Sequence, residues 1–301
     1  MRLGLDFGGT KIEGVVLDDG GAERARARVP TPRDDYDGCL AAIEGLMLDL
    51  EGRAGGRISR VGIGVPGAVD RDTGVVQGGN STWLWGRDLQ SDLHARLRRP
   101  VKVANDANCF ALSEAVDGAG EGAEVVFGVI LGSGVGGGIV VRGQLVGGVN
   151  AIAGEWGHVP LPAPLDDERP GPSCPGCGRP GHVESWLSGR SMAADYARRV
   201  GLPEAEAPKA EEVVARAAAG EAAAEETLIR FEDRLGRALA MVVNILDPDV
   251  IVLGGGLSNV QRFYETVPEK IAAHVFGPRF DTRLVKNRHG DSSGVRGAAW
   301  L

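Results

Sequence analysis

The amino-acid sequence predicts an α/β protein with a duplicated core, on three observations. The chain has 301 residues, enough for two domains, because single cores stop growing at roughly 250 to 300 residues. Strand-like and helix-like segments alternate along it, which is typical of a layered α/β sheet. A glycine hairpin near the start, RLGLDFGGTKIEGVVLD, is repeated in plan by VVFGVILGSGVGGGIVVRG. We therefore expect two α/β domains whose hairpin tips face one ligand.

The elements between and after these hairpins follow from local patterns. A helix is indicated by apolar residues at helical spacing, at Leu40, Ile43, Leu46, Met47 and Leu50. Short strands follow at RVGIGVP and VKVAN, and ALSEA after Cys109 is helical. A long helix is predicted over residues 221–246, ended by proline in Asp247-Pro248, and a last helix from about Ser293. We place the first domain at residues 1–108, completed by the terminal helix 289–301, and a larger second domain at 109–288.

Composition and charge narrow the function classes. The formal net charge of −8 argues against a nucleic-acid surface, which usually presents a basic field. No apolar run approaches the roughly 18 residues of a membrane span, and the start of the chain enters a strand pattern directly. The four cysteines fit buried thiols and one C-x-x-C in a reducing compartment. We expect a cytoplasmic protein with no membrane or nucleic-acid partner.

The first hairpin combines a carboxylate, two glycines and a hydroxyl in DFGGTK, which supplies Asp6, Gly8, Gly9, Thr10 and Lys11. Glycine lets backbone N–H groups approach a phosphate closely, and the threonine hydroxyl can donate to the same oxygens. A carboxylate in this position suits Mg²⁺. One such loop is more often only a turn.

Two further glycine loops make a nucleotide site more specific. GSGVGG, whose Gly132, Ser133 and Gly134 form the tip, matches a dinucleotide fingerprint, but a strand follows it where that fingerprint requires a helix. We therefore interpret it as a second phosphate hairpin. The third loop, Gly254, Gly255 and Gly256, follows a strand and suits a nucleotide base or ribose.

A candidate catalytic carboxylate lies at the junction of a strand and a helix in VKVANDANCFALSEA. Taken alone, Asp106 is more often a helix N-cap there. Between two phosphate hairpins, however, a carboxylate can accept the proton of a hydroxyl that attacks a phosphoryl group.

Seven ordered motifs resemble those of the ROK sugar kinases: DFGGTK, GIGVPG, NDANC, LGSGVGGG, GEWGH, CGRPGHVE and DPDVIVLGGG. The resemblance covers essentially the whole chain. It implies the actin-like ATPase (hexokinase/acetate kinase) fold, ATP and Mg²⁺ as cofactors, a hexose substrate and often a homodimer, with dimerisation elements in the larger domain.

The same resemblance implies roles for individual residues. Asp106 would be the general base. The hexose would be bound by residues that offer donors and acceptors to its hydroxyls, namely Gly67, Asn80, Asn105, Asp106, Glu155, His158 and Glu184. Taken singly, each of these would be expected to have a surface or core role.

A metal site is implied with two departures from the family pattern. Such kinases usually carry C-x-C-G-x-x-G-C-x-E, whose three cysteines bind zinc together with the histidine of G-E-x-G-H. Here the first pair is Cys174 and Cys177, and His182 replaces the third cysteine. Because histidine also binds zinc, His158, Cys174, Cys177 and His182 are predicted to form a structural Cys₂His₂ site. A Cys174–Cys177 disulfide and a site that no longer binds metal are the alternatives.

The preferred hexose is predicted from weaker signals. The segments VPTPRDDYD, NSTWLWG and RHGDSSGVRGAAWL are similar to the bacterial fructokinase branch of the family. Trp83 and Trp85 are expected to leave little space for an N-acetyl group, although both could equally be core or interface residues. The sequence thus predicts phosphorylation of D-fructose, with N-acetylglucosamine kinase or glucokinase as the alternative. The ROK family also contains transcriptional repressors, which carry a DNA-binding helix-turn-helix ahead of the sugar-binding fold. We expect none here, because the first hairpin begins almost at Met1, and the presence of Asp106 and the acidic net charge also favour a kinase. A sugar-sensing protein without catalysis is the distant alternative.

Overall fold

The computed structural model describes residues 1–70, 73–79 and 81–301. These residues form two compact units. The first consists of residues 1–124, 138–154 and 288–301, and the second of residues 125–137 and 155–287. The domain boundary predicted at residue 108 stays a prediction.

The first unit is built on a five-stranded mixed sheet. The helices and strands before residue 125 are β1 (Arg2–Phe7), β2 (Lys11–Leu17), β3 (Glu23–Pro30), α1 (Tyr36–Ala54), β4 (Arg60–Val65), β5 (Ala68–Val69), β6 (Val76–Gln77), α2 (Leu89–Leu97), β7 (Val101–Asn105) and α3 (Asp106–Val116). The sheet order is β3-β2-β1-β4-β7. The first three strands are antiparallel, whereas β1, β4 and β7 run parallel, so their carboxyl ends lie at one edge.

Helix α1 covers one face of this sheet, and the apolar positions predicted for it are buried. It begins at the cap residue Asp35, whose carboxylate accepts a hydrogen bond from Gly38 N at 2.9 Å. It ends at Gly55, which has φ of 68°, a left-handed conformation that favours glycine. The predicted helix is therefore confirmed, with its start and stop set by local chemistry.

The remaining elements follow from residue 125 to the end of the chain. They are β8 (Val125–Leu131), β9 (Val135–Val141), β10 (Gln144–Leu145), α4 (Glu184–Leu187), α5 (Gly189–Val200), α6 (Ala210–Ala218), α7 (Ala222–Leu246), β11 (Val250–Gly254), α8 (Arg262–Ala272), β12 (Arg283–Lys286) and α9 (Ser293–Trp300). The second sheet has the order β10-β9-β8-β11-β12, in which β11 runs parallel to both β8 and β12.

Helix α7 organises the second unit. It has 25 residues, and α5, α6 and α8 pack against it. Phe231 of α7 stacks on Phe263 of α8 with ring centroids 5.3 Å apart. The helix ends at Leu246, where Asp247 adopts φ of 48° and Pro248 follows. This confirms the predicted end of the long helix.

Helix α9 packs against β1, β4 and α3 of the first unit. The approach is so close that only glycine fits at two crossings. A Cβ built on Gly62 of β4 would lie 1.8 Å from Ala298 O, and one built on Gly297 would lie 1.6 Å from Cys109 O. The predicted final helix and its return to the first domain's sheet are thus both observed.

Candidate functional site

The junction of β7 and α3 presents the candidate catalytic carboxylate. The cap of α3 is Asn105, whose Oδ1 accepts hydrogen bonds from Ala107 N at 2.8 Å and Asn108 N at 3.4 Å. Its Nδ2 donates to Gly67 O at 3.0 Å. Asp106 is the first residue of the helix and is exposed. Because Asn105 performs the capping, the Asp106 carboxylate is available for another task.

The electrostatic environment of Asp106 differs from that of a carboxylate in bulk water. Although the residue is exposed, the protein around it displaces water and raises the pKa of the carboxyl above its ordinary value of 3.8, while a hydrogen bond from Ala107 N opposes this rise. A raised pKa brings a carboxylate closer to the basicity that proton abstraction requires.

Asp6 lies in the same unit, at the end of β1. Burial is the largest cause that raises its pKa from 3.8 to about 6, and the charges of Asp106 and Glu13 add to it, whereas Lys11 lowers it. Glu13 is the direct cross-strand partner of Asp6 in β2. Glu13 is itself held ionised, because hydrogen bonds from Arg28 and Arg26 outweigh desolvation and lower its pKa.

The first hairpin tip is tight and is anchored from outside. Gly8 N donates to Lys11 O at 3.0 Å, which closes the turn. Thr31 donates from its hydroxyl to Gly8 O at 2.7 Å and from its backbone N to Thr10 O at 3.1 Å. No pattern in the sequence indicates this role for Thr31, because the contact joins residues 23 positions apart.

The second hairpin, at Gly132–Gly134, belongs to the second unit and contacts α4 and α5. Gly189 N at the start of α5 donates to Gly132 O at 2.7 Å. Val135 N donates to Glu184 Oε2 at 3.0 Å, and a Cβ on Gly134 would lie only 2.7 Å from that oxygen. The glycine at 134 therefore permits the carboxylate of Glu184 to lie directly against the hairpin.

The third loop packs on the end of β8. Gly255 has φ of 76°, and a Cβ there would lie 2.4 Å from Leu131 O. A short 3-10 helix follows at Gly256–Asn259. Together with the second hairpin and the first turns of α5 and α6, this loop lines a cavity of about 590 Å³ within the second unit. Gly254, the first of the three glycines predicted to form this loop, is the last residue of strand β11.

Glu155, His158 and Glu184 also lie in the second unit. Glu155 precedes a short 3-10 helix at Trp156–His158, of which His158 is the last residue, and His158 Nε2 is 3.8 Å from Glu155 Oε2. Trp156 fixes this turn, because its Nε1 donates to Gly136 O at 2.9 Å. Glu184, the first residue of α4, is only 9% exposed.

The four predicted metal ligands converge. The ligand atoms of His158, Cys174, Cys177 and His182 all lie within 4.8 Å of one another. Cys174 Sγ is 3.4 Å from His158 Nδ1, and Cys177 Sγ is 3.3 Å from His182 Nδ1. In a tetrahedral zinc site the bond lengths place sulfur and nitrogen ligands about 3.5 Å apart. All four cysteines of the chain are free thiols, so no disulfide competes for Cys174 and Cys177.

The loop that carries these ligands is held in place by buried ion pairs on α7. Glu168 accepts from Arg234 Nε at 2.8 Å and from Arg237 Nη2 at 2.9 Å. Arg234 also donates to Asp195 at 2.9 Å, and its guanidinium lies 4.4 Å from the ring centroid of Trp186 in α4. No local pattern in the sequence indicates this network, since its members are spread over residues 168 to 237.

Of the remaining predicted residues, Gly67 lies between β4 and β5, and Trp83 and Trp85 follow β6. Gly67 has φ of 98°, and a Cβ there would lie 2.5 Å from Gln77 O, so glycine is required. Asn80 lies outside the described residues. Trp83 packs against the core of the first unit, whereas Trp85 is half exposed and donates from Nε1 to Gly78 O at 2.6 Å.

Among the described residues, no helix is both long and apolar enough to cross a membrane.

Comparisons with known proteins agree over the whole chain. The family model described as ROK family matches residues 2–301. An N-acetyl-D-glucosamine kinase of Photobacterium profundum is 43% identical over 305 residues, covering 100% of this chain and 99% of that protein. The crystal structure of a ROK hexokinase from Thermus thermophilus superposes with a TM-score of 0.88 at 32% identity, covering 99% of this chain and 96% of that one. A ROK family glucokinase from Streptomyces griseus, in complex with glucose and AMPPNP, gives a TM-score of 0.78 at 27% identity, covering 99% and 97%.

Proposed function

The chain is a sugar kinase that belongs to the ROK family, and from this premise we propose that it transfers the γ-phosphoryl group of ATP to a hydroxyl of N-acetyl-D-glucosamine. Family membership confirms the predicted actin-like α/β fold class. The observation that supports the substrate is the 43% identity, over the full length, to a kinase named for that sugar. The fructose specificity predicted from the sequence finds no support, and its stated alternative fits better.

Glucose is the second candidate substrate. A glucokinase with glucose bound is similar to this chain over 99% of its length, at 27% identity. The higher identity to the N-acetyl-D-glucosamine kinase favours the acetamido sugar over glucose.

Asp106 is proposed as the general base. Its carboxylate is free of the capping task, and its raised pKa favours proton acceptance. In the reaction the sugar hydroxyl loses its proton to this carboxylate while its oxygen forms a bond to the γ-phosphorus. The bond from that phosphorus to the β,γ-bridging oxygen breaks, and ADP leaves with the electron pair. Asn105, fixed by its bond to Gly67 O, is proposed to orient the sugar beside this carboxylate.

The glycine loops are proposed to hold ATP. The phosphates would contact the backbone N–H groups and hydroxyls of the two hairpins, and the base and ribose would contact the third loop. The proposed nucleotide-binding residues are Asp6, Gly8, Gly9, Thr10, Lys11, Gly132, Ser133, Gly134, Gly254, Gly255 and Gly256. Asp6 suits Mg²⁺, which when bound would neutralise phosphate charge. Thr31 is proposed to hold the tight turn of the first hairpin in place through its hydrogen bond to Gly8 O.

The sugar hydroxyls are proposed to be held by carboxylates, side-chain amides, an imidazole and one stretch of backbone. The carboxylates are those of Asp106, Glu155 and Glu184, the amides those of Asn80 and Asn105, the imidazole that of His158, and the backbone that of Gly67. Such groups select a sugar by the positions of its hydroxyls, because a buried donor or acceptor of the protein that finds no hydroxyl to bond with reduces the binding free energy. The carboxylate of Glu184 is held in one orientation, since Val135 N donates a hydrogen bond to its Oε2 at 3.0 Å.

The structural zinc is proposed to be held by His158, Cys174, Cys177 and His182. The donor set and the 3.3 and 3.4 Å separations between sulfur and nitrogen fit a tetrahedral site. Metal at His158 Nδ1 would leave Nε2 protonated, so this nitrogen can donate toward Glu155 or a sugar hydroxyl. The group would thus set the tautomer and orientation of a sugar ligand.

A homodimer is proposed because members of the family often form homodimers and because two apolar side chains of the second unit are exposed. Ile245 is 81% exposed and Phe276 is 94% exposed. The backbone N–H of Phe276 donates a hydrogen bond to Asn244 Oδ1 at 2.8 Å. Light scattering during size-exclusion chromatography tests this proposal, since a mass of one chain would contradict it.

The proposed reaction is tested by measuring both products. Purified protein is incubated with ATP, Mg²⁺ and N-acetyl-D-glucosamine, and ADP and sugar phosphate are quantified by mass spectrometry. We expect one sugar phosphate per ADP in the wild type and about 10³-fold slower formation of both products in Asp106→Asn. The melting temperature of this variant should not fall, because the folded state disfavours the ionised form of a carboxyl whose pKa is raised. Substantial turnover by Asp106→Asn would remove the base role, and an absence of turnover with any hexose would contradict the proposed function.

A further inference from the structure

The cavity formed by the second hairpin and the third loop in the second unit is also lined by charged side chains that have not been given a role. Its volume is about 590 Å³. Backbone from the second hairpin and the third loop forms part of its wall, and the first turn of α5 and residues 204–211 form the rest. The following inference rests on the proposed function, in which this cavity receives part of ATP.

Arg190, the second residue of α5, lines this cavity. Its Nε donates to Ser133 O at 2.9 Å, so the guanidinium is anchored on the second hairpin. Across the part of the chain that the structure describes, its two terminal nitrogens have no hydrogen-bond or ion-pair partner. An exposed guanidinium with four free N–H donors is therefore held beside the loop proposed to bind phosphate.

The charges of the cavity are distributed unevenly. Segment 204–211 contributes Glu204, Lys209 and Glu211 to the lining, so its formal charge is negative. Glu211 lies near the third loop, because a Cβ on Gly256 would be 3.7 Å from its Oε1. The side at the second hairpin carries the cation of Arg190 alone. A ligand with a polyanionic end and a hydroxyl-bearing end matches this distribution.

We propose that Arg190 binds a phosphate of the nucleotide directly, with the ribose hydroxyls turned toward the carboxylate of Glu211. A guanidinium suits this task, since its planar donors match phosphate oxygens in pairs. The bond from Nε to Ser133 O fixes the plane of the guanidinium before the nucleotide arrives, which lowers the entropy lost on binding.

The test compares nucleotides that differ only in their phosphates. Calorimetry measures the Kd of ADP, of the β,γ-imido analogue of ATP and of adenosine for the wild type, Arg190→Gln and Arg190→Lys. We expect Arg190→Gln to weaken both phosphorylated ligands about tenfold or more, because a charge-assisted contact is lost, and to leave adenosine within about twofold. Arg190→Lys should recover part of the loss, since it keeps the charge.

Arg279→Gln is the matched control. It removes an arginine of the same unit that is 80% exposed, pairs with Asp281 and does not line the cavity, so no affinity should change. An ADP affinity unchanged in Arg190→Gln, or adenosine weakened as much as ADP, overturns the inference alone. A wild type that binds neither ADP nor adenosine overturns the proposed function and this inference with it.

Discussion

Replacing Asp6 by asparagine should stabilise the protein while it damages catalysis. The carboxyl of Asp6 is partly buried, faces Glu13 across the sheet and is in the field of Asp106, and its pKa rises from 3.8 to about 6. A raised carboxyl pKa means that the folded state disfavours the ionised form. The free energy of unfolding that this group contributes is fully present below pH 3.8 and is lost as the pH rises through about 6.

The size of the effect follows from the shift. A rise from 3.8 to about 6, at about 1.36 kcal/mol per unit, makes the ionised carboxylate cost about 3 kcal/mol of stability above pH 7. Asparagine has a similar shape and no charge, so Asp6→Asn should be more stable than the wild type by about 2 to 3 kcal/mol at pH 8. A chain of this size gains about 2 °C in melting temperature for each kcal/mol, which predicts a shift of about 5 °C.

The assay is thermal unfolding of the wild type and Asp6→Asn between pH 4 and pH 8. The difference in melting temperature should be near zero at the low end, grow through pH 6 and level off above pH 7. Asp19→Asn, which removes a carboxylate with an 88% exposed side chain from the same unit, controls for the loss of one negative charge. A constant difference across this range, or a wild type more stable than Asp6→Asn at pH 8, would refute the electrostatic reasoning.

Three further predictions concern other parts of the molecule. Because a protonated Asp106 cannot accept a proton, kcat/KM should fall as the pH drops through its raised pKa. Asp106→Asn should lose about 10³-fold in kcat above that pKa, and its remaining activity should not show this fall. His182→Cys should retain zinc whereas His182→Ala should lose it, as metal analysis by mass spectrometry would show; equal zinc content in both would remove His182 from the ligand set. Glu168→Gln removes the negative charge that pairs with the buried guanidinium groups of both Arg234 and Arg237. The free energy of unfolding, measured in denaturant, should therefore fall by about 3 kcal/mol or more. A loss below about 1 kcal/mol would show that this network contributes little.

Local chemistry made much of the fold predictable from the sequence. The hairpin at Gly8 and Gly9, the apolar face of α1 and the end of α7 at Asp247-Pro248 all depend on residues close together in the chain. The four proposed metal ligands could also be brought together from the sequence, because three of them lie within nine residues and only His158 comes from a distant motif.

Contacts between distant segments were not predictable in the same way. Thr31 on the first hairpin, Arg190 on Ser133 and the pairing of Arg234 with Glu168 each depend on tertiary packing. The choice of Asn105 over Asp106 as helix cap was equally hidden, since both residue types cap helices well. The sequence offered Asp106 as a cap or as a base. The structure shows that Asn105 is the cap, and the base role of Asp106 stays a proposal.

The substrate prediction shows where side-chain size alone fails. Trp83 and Trp85 were expected to leave little space for an N-acetyl group, with a core or interface position as the equal alternative. Trp83 instead packs on the core of the first unit and Trp85 lies half exposed, bonded to Gly78 O, so neither position establishes exclusion of an N-acetyl group.

The most direct test of the account is the sugar specificity of the purified enzyme. Coupled ADP release with ATP and Mg²⁺ gives kcat/KM for N-acetyl-D-glucosamine, D-glucose, D-fructose and D-mannose. We predict that N-acetyl-D-glucosamine leads by tenfold or more, about 1.4 kcal/mol of transition-state discrimination. A lead for fructose, or equal values for the acetamido sugar and glucose, would contradict the proposed substrate.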